Sequence, residues 1–248
     1  MSNDPSELIK KERLPTLWCP GCGIGIVFHQ MTEAFAAAGM NHQNTSVVSG
    51  IGCTGRIAGY FDVDSVHTTH GRAIPVAEGI ANYRPDLHVV VASGDGDLTS
   101  IGGNHFLHSS RRDTNLTVIM VNNEIYGMTG GQTAPTTQKG RITQTAPVGA
   151  ETDPINVQGI ITSNPRHFYA RTSVYHIPHM KKCLQEALAW KGFSLVDIQS
   201  SCPERLGKMN KMRSPGDMIL AFKDSFKIKA KPEGLLKDNQ LGIIKKDA

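Results

Sequence analysis

Two short runs, 87–92 and 116–121, are apolar at nearly every position and rich in valine and isoleucine. A strand with one solvated face alternates apolar and polar residues, so a near-continuous run signals burial on both faces, as in a parallel sheet covered by helices. Parallel neighbours need long crossovers between them. Segments suited to that task lie between the strands: 24–40 has apolar residues at Ile24, Val27, Phe28, Met31 and Phe35 and closes at Gly39, and 75–83, 105–111 and 178–190 also read as helical. With further strands expected at 45–49, 168–172 and 194–198, strand and helix alternate, which predicts a doubly wound α/β domain with a mostly parallel sheet. Ligands of such sheets sit at the carboxyl ends of the strands. The residues that follow each strand therefore carry the functional information.

Composition narrows the class. The chain has 248 residues, 39% apolar and 19% charged, enough to build a core and inconsistent with disorder over most of its length. No apolar run approaches the roughly 18 to 20 residues needed to span a bilayer, and 1–13 is polar with mixed charge, so a soluble, cytoplasmic protein without membrane contact is expected. The net charge of +4 is local. From 203 to 248 there are 11 Lys and Arg against 6 Asp and Glu, a surplus of +5, which leaves about −1 for 1–202. That segment has only Phe222 and Phe226 as aromatics, a poor match to a nucleic-acid surface. The expected organisation is an N-terminal arm at 1–13, a folded α/β domain at 14–202 and a basic, partner-docking extension at 203–248 that includes a short amphipathic helix at 218–226.

The first strand runs into Gly50-Ile51-Gly52-Cys53-Thr54-Gly55, a literal G-x-G-x-x-G. The dinucleotide reading of that pattern wants an acidic residue about 20 positions on, where this chain has His70. The strand at 87–92 is followed by Ser93-Gly94-Asp95-Gly96-Asp97, and the strand at 116–121 by Asn122-Asn123-Glu124-Ile125-Tyr126-Gly127. A carboxylate and a carboxamide on neighbouring strand ends are hard oxygen donors suited to Mg²⁺, which completes its shell with phosphate oxygens. Glycines around Asp95 would let backbone N–H groups approach those phosphates. Cysteine adds a third pattern. Cys19 and Cys22 form a C-x-x-C before a helix, and Cys53 and Cys202 follow strands, a set that fits Zn²⁺ or an iron–sulfur cluster. A thioredoxin-like dithiol would leave Cys53 and Cys202 without a role. Cys183 reads as a helix thiol.

Gly-Asp-Gly followed, 28 positions after Asp95, by the second residue of an Asn-Asn pair resembles the diphosphate-binding signature of thiamine diphosphate enzymes. Trp18-Cys19-Pro20-Gly21-Cys22-Gly23, Gly50-Ile51-Gly52-Cys53, His70-Gly71-Arg72-Ala73 and the stretch from Asn122 through Gly131-Gln132 join it in order. Together they resemble the β subunit of 2-oxoacid:ferredoxin oxidoreductases, 2-oxoglutarate synthase-like, over about 14–203. The resemblance implies one [4Fe-4S] cluster on Cys19, Cys22, Cys53 and Cys202, and Mg²⁺ on Asp95, Asn123 and the Ile125 carbonyl. It implies thiamine diphosphate contacts from Ile51, Gly52, Cys53, Thr54, His70, Gly96, Asp97, Gly127 and Met128. Arg56 stands where family members often carry a lysine, and is expected to orient the substrate carboxylate bidentately, with Met128 and His70 in the same pocket. The implied reaction is reversible oxidative decarboxylation of a 2-oxoacid, most simply 2-oxoglutarate, with coenzyme A and ferredoxin. It implies an α subunit, with γ or δ subunits in some assemblies, that completes the site. Pyruvate or branched-chain substrates, a non-redox thiamine enzyme and a zinc-stapled binding protein are the alternatives.

Overall fold

The computed structural model describes residues 4–212 and 214–247. Ten strands form in chain order: β1 (Thr45–Ser49), β2 (Asp64–His67), β3 (His88–Gly94), β4 (Leu116–Asn122), β5 (Ile125–Tyr126), β6 (Gln132–Thr133), β7 (His167–Ser173), β8 (Phe193–Gln199), β9 (Lys227–Ile228) and β10 (Gln240–Lys246). The α-helices are α1 (Ile24–Ala37), α2 (Ala73–Tyr83), α3 (Gly103–Arg112), α4 (Val157–Thr162), α5 (Ile177–Ala189) and α6 (Pro215–Ser225). The main sheet has the order β2-β1-β3-β4-β8-β7-β10-β9 and is parallel from β2 through β7.

The near-continuous apolar runs become central strands, and all seven residues of β4 are buried. Successive side chains point to opposite faces, so each strand feeds two cores. Val47, Val90, Ile119 and Val196 pack with α1 and α5 on one face. Val48, Val91, Val118 and Leu195 pack with α2, α3 and α4 on the other. Burial of the Val and Leu side chains on both faces contributes about 1.5 to 3 kcal/mol each, which is why a sheet of this hydrophobicity needs helices on both sides.

The expected extension at 203–248 does not stand apart from the domain. β10 pairs antiparallel with β7, from Gly242 opposite Arg171 to Lys246 opposite His167, and Leu241 is fully buried. The Gln158 side chain clasps Leu236 through both main-chain groups, at 3.2 and 3.0 Å. Only α6 matches the short helix expected there; Pro215 opens it and Ser214 caps it by accepting from the Asp217 N–H at 3.2 Å. Of the N-terminal arm, residues 1–3 lie outside the described residues, while Leu8 is buried and Ile9 bridges Phe61.

Chain direction fixes where a ligand can bind. From β1 the chain moves outward to β2, then returns to place β3 on the other side of β1. This reversal opens a crevice at the carboxyl ends of β1 and β3. The turns after β1, β3, β4 and β8 crowd that end of the sheet.

Candidate active site

The β3 and β4 register, with Gly94 opposite Val121, sets Asp95 beside the Asn122-Asn123 pair. Asp95 and Asn123 are 2% and 7% exposed. Burial pushes the Asp95 carboxyl up to about 7; hydrogen bonds from the Thr136 hydroxyl and from main-chain N–H groups pull the other way, and the nearby Glu124 adds to the rise. No cationic side chain contributes to Asp95 among these causes. A buried carboxylate in that position is stabilised by a bound cation, so the donor set fits Mg²⁺. Gly96 is the close-approach point of the turn: a Cβ there would lie 2.4 Å from the Tyr126 ring, whose hydroxyl donates to the Gly96 carbonyl at 3.0 Å. Thr136 and Tyr126 were not singled out from the sequence. Thr136 lies 41 residues from Asp95 in a segment without a motif, and only tertiary folding joins them.

Asp97 turns inward. It is 2% exposed and accepts from the Ile51 N–H at 3.2 Å, the Gly71 N–H at 2.8 Å and the Ser93 hydroxyl at 2.6 Å, and it pairs with His70 Nδ1. Expected to touch the cofactor, it ties together the loops that surround the crevice. A carboxylate only accepts, so Nδ1 carries the proton and Nε2 is the His70 nitrogen free to meet a ligand; the side chain is 38% exposed. The G-x-G-x-x-G loop is built for the same tie. A Cβ on Gly50 would fall 1.9 Å from an Asp97 oxygen, and one on Gly55 would fall 2.0 Å from the Gly50 carbonyl oxygen. Thr54 is buried behind Gly94, while Ile51 stays at the surface.

The four cysteines of interest gather on the neighbouring side. A Cβ on Gly127 would sit 3.3 Å from the Cys202 sulfur and 4.0 Å from that of Cys53. Trp18 donates through Nε1 to the Cys53 carbonyl at 2.8 Å and packs on Tyr60 and Phe28, which locks the C-x-x-C loop beside Cys53. Burial pushes the Cys22 thiol up to about 12, with Cys202, Cys53 and Cys19 adding to the rise. Cys53 and Cys202 are raised for the same first reason. Three partly covered thiols held back from ionisation, with Cys19 beside them, fit a polynuclear cationic centre. Among the described residues, no three His, Cys, Asp or Glu are placed to hold a single ion; a zinc staple would require sulfurs about 3.8 Å apart, from Zn–S bonds of about 2.3 Å.

Arg56 is exposed in the 3₁₀ turn that follows Cys53 (Thr54–Tyr60), and Met128 is 41% exposed. The Arg56 N–H donates to the Cys53 carbonyl at 3.3 Å, while its guanidinium makes no hydrogen bond or ion pair among the described residues and is free for a ligand. Behind the Asn-Asn loop lies an apolar cavity of about 340 Å³ lined by Leu206, Met212, Met218 and Phe222, with Glu124 and Arg141 at its polar end. It lies beneath α6 rather than at the diphosphate turn. No helix among the described residues is long and apolar enough to cross a membrane.

Comparison with known proteins gives the chain's relatives. Residues 50–198 match the family model of the C-terminal TPP binding domain of thiamine pyrophosphate enzymes. The chain is 43% identical over 217 residues to 2-oxoglutarate synthase subunit KorB of Methanothermobacter thermautotrophicus, covering 88% of this chain and 76% of that protein. The KorB subunit of Archaeoglobus fulgidus is 39% identical over 248 residues, all of this chain and 91% of its own length. Among solved structures, the 2-oxoglutarate:ferredoxin oxidoreductase from Magnetococcus marinus, with 2-oxoglutarate, coenzyme A and succinyl-CoA bound, superposes with a TM-score of 0.87 at 29% identity, covering 99% of this chain and 85% of that chain.

Proposed function

The chain belongs to the family of 2-oxoglutarate synthase KorB subunits, within the thiamine pyrophosphate enzymes, and from that membership we propose that it is the cofactor-binding subunit of a coenzyme-A-acylating 2-oxoglutarate:ferredoxin oxidoreductase. The reading places Mg²⁺ on Asp95, Asn123 and the Ile125 carbonyl, the thiamine diphosphate at Gly96, His70, Gly127 and the loop from Ile51 to Thr54, and a [4Fe-4S] cluster on Cys19, Cys22, Cys53 and Cys202. When bound, these groups supply an electron sink for decarboxylation and a one-electron acceptor beside it. One observation carries the proposal: in a single loop, Tyr126 covers the diphosphate turn at Gly96 while its neighbour Gly127 lies against two of the thiols. A loop that touches both sites suits a reaction whose electrons must cross from one cofactor to the other.

This chain's own groups have separable tasks. Asp95 and Asn123 hold the cation, and the Thr136 hydroxyl fixes the Asp95 carboxylate by donating to one of its oxygens. Asp97 keeps the His70 ring in one orientation, with Nε2 available to hold or pass a proton at the crevice. Arg56 binds the carboxylate of the 2-oxoacid, and Met128 supplies apolar contact. The crevice lies open at Ile51 and Met128, and an α subunit closes it, excludes water and brings the remaining catalytic groups. Ferredoxin takes the electrons, and the setting is cytoplasmic.

The test is anaerobic co-expression with the α subunit, followed by coenzyme-A-dependent ferredoxin reduction across 2-oxoglutarate, pyruvate and branched-chain 2-oxoacids. The expected result is a brown complex whose kcat/KM is highest for 2-oxoglutarate and falls about tenfold or more for Arg56→Ala, through KM. A colourless complex, or one that decarboxylates without reducing ferredoxin, would show the reading to be wrong.

A further inference from the structure

Of the four cysteines, Cys19 alone is exposed, and the other three are partly covered. Its position follows from an anchor one residue earlier. Trp18 points inward onto Tyr60 and Phe28, with ring centroids 5.0 and 5.9 Å away, so the residues on either side of it, Leu17 and Cys19, are turned to the surface. Leu17 is held by its N–H donating to the Tyr60 hydroxyl at 2.9 Å, yet its side chain is 58% exposed, and that of Leu14 is 47% exposed. Two large apolar side chains on a fixed loop beside the outermost thiol give a dry centre for a transient contact.

Two arginines border the elements that form this surface. Arg13 is exposed and donates to the Gly59 carbonyl at 3.1 Å. Arg205 is exposed three residues after Cys202, close enough to lower that thiol's pKa against its burial. Among the described residues, neither guanidinium has a carboxylate partner. The acidic neighbour Glu204 is engaged by Lys208 at 2.5 Å, and Asp217 is bonded to Ser214 at 3.0 Å. Glu12 is exposed nearby, but the run Lys10-Lys11-Glu12-Arg13 remains net positive. From the other side, Pro215 at the start of α6 packs against Gly21 within the C-x-x-C loop, so the basic C-terminal segment borders the same surface.

We propose that the surface around Cys19, with Leu14 and Leu17 at its centre and Arg13 and Arg205 at its rim, is the electron exit of the molecule and docks an acidic one-electron carrier protein. The proposal rests on the cluster assignment above. Because a cluster held by four thiolates is itself negative once reduced, an acidic partner would be repelled there without cations at the rim, and Arg13 and Arg205 offset that repulsion. In the docked pair one electron leaves the reduced cluster, oxidising it by one unit, and reduces the carrier by one unit. No bond forms and no proton moves. The two electrons released by each 2-oxoacid therefore leave in two successive encounters, which favours a contact that is small, charged at its edge and short-lived.

The test uses the intact αβ enzyme with an acidic single-cluster ferredoxin as carrier and methyl viologen, a small cation, as the control acceptor. In Arg13→Glu/Arg205→Glu the KM for ferredoxin should rise by about tenfold or more and lose most of its dependence on salt. Viologen reduction and the visible absorbance of the cluster should stay within about twofold of the parent. Leu17→Ser, which leaves the charges alone, should raise the ferredoxin KM without altering the salt dependence. It also keeps the question answerable should the double variant fold poorly. An unchanged ferredoxin KM in both variants overturns the proposal. Loss of the α subunit from either variant overturns it too, by showing that this face is a subunit interface. Failure of the cluster reading would appear differently, as missing absorbance and missing viologen reduction in the unsubstituted enzyme.

Discussion

Asp95 is the residue at which folding and cofactor binding oppose each other. Its folded carboxyl titrates at about 7 against an ordinary 3.8, so between those limits the native protein holds a proton that the unfolded chain has released. Stability of the cation-free protein therefore falls as pH rises from about 4 to about 7, at up to about 1.4 kcal/mol per pH unit. Asp95→Asn removes that dependence. In chelator, the variant should gain on the parent by roughly 2 to 3 kcal/mol between pH 5 and pH 8, read from urea midpoints, while it loses Mg²⁺-dependent binding of thiamine diphosphate. A constant gap across that range would show that the carboxyl is not strained. Cysteine chemistry is just as dependent on place. Burial pushes Cys183 up to about 12, and burial pushes its neighbour His179 down to about 4, so both are neutral at pH 7 and no thiolate forms. Cys183→Ala should leave the visible absorbance intact, whereas Cys53→Ala should abolish or degrade it; the reverse pattern would move the cluster assignment elsewhere.

At the scale of elements, legibility tracked the strength of the local signal. β1 falls where the β-branched run places it, and β3, β4, β7, β8 and α5 fall within two residues of expectation, because central strands and amphipathic helices write their burial into the sequence. β2 carries no burial signal in the sequence because all four of its residues are exposed and it borders only β1. β10 was missed for a related reason. Its run of Leu-Gly-Ile-Ile-Lys-Lys reads as solvated tail, and its pairing with β7, some 70 residues earlier in the chain, has no local signature. If β10 is integral, Leu241→Ala should cost about 2 to 5 kcal/mol in chemical denaturation, with a single transition. A loss below about 0.5 kcal/mol would mark the segment as an adherent tail. The cofactor loops show the same division: Gly50, Gly96 and Asp95 form a readable pattern, Tyr126 sits inside a motif that does not disclose its bond to Gly96, and Thr136 lies in a segment with no motif.

For the whole molecule, the order of strands decides what the loops can do. Reversal between β1 and β3 brings the Cys53 loop against the Asp95 turn, and β8 beside β4 brings Cys202 to Gly127. These turns close the inner side of the site and leave its outer side at the surface. Prepared anaerobically without an α subunit, the chain should retain the visible absorbance of a cluster but turn over no 2-oxoacid, and adding the α subunit should restore activity; turnover by the isolated chain would contradict a shared site.

The sequence by itself determined the sheet's two-sided burial, the chemical identity of the oxygen and sulfur donors and their order along the chain, since hydrophobic period and residue type are local properties. Tertiary structure decided which donors meet, that Asp97 ties the Ile51, His70 and Gly71 backbone and side-chain groups together, and that the basic segment at 203–248 is partly sheet and partly the border of the Cys19 surface. Those outcomes depend on strand order and on pairings between distant residues, and no local pattern encodes either.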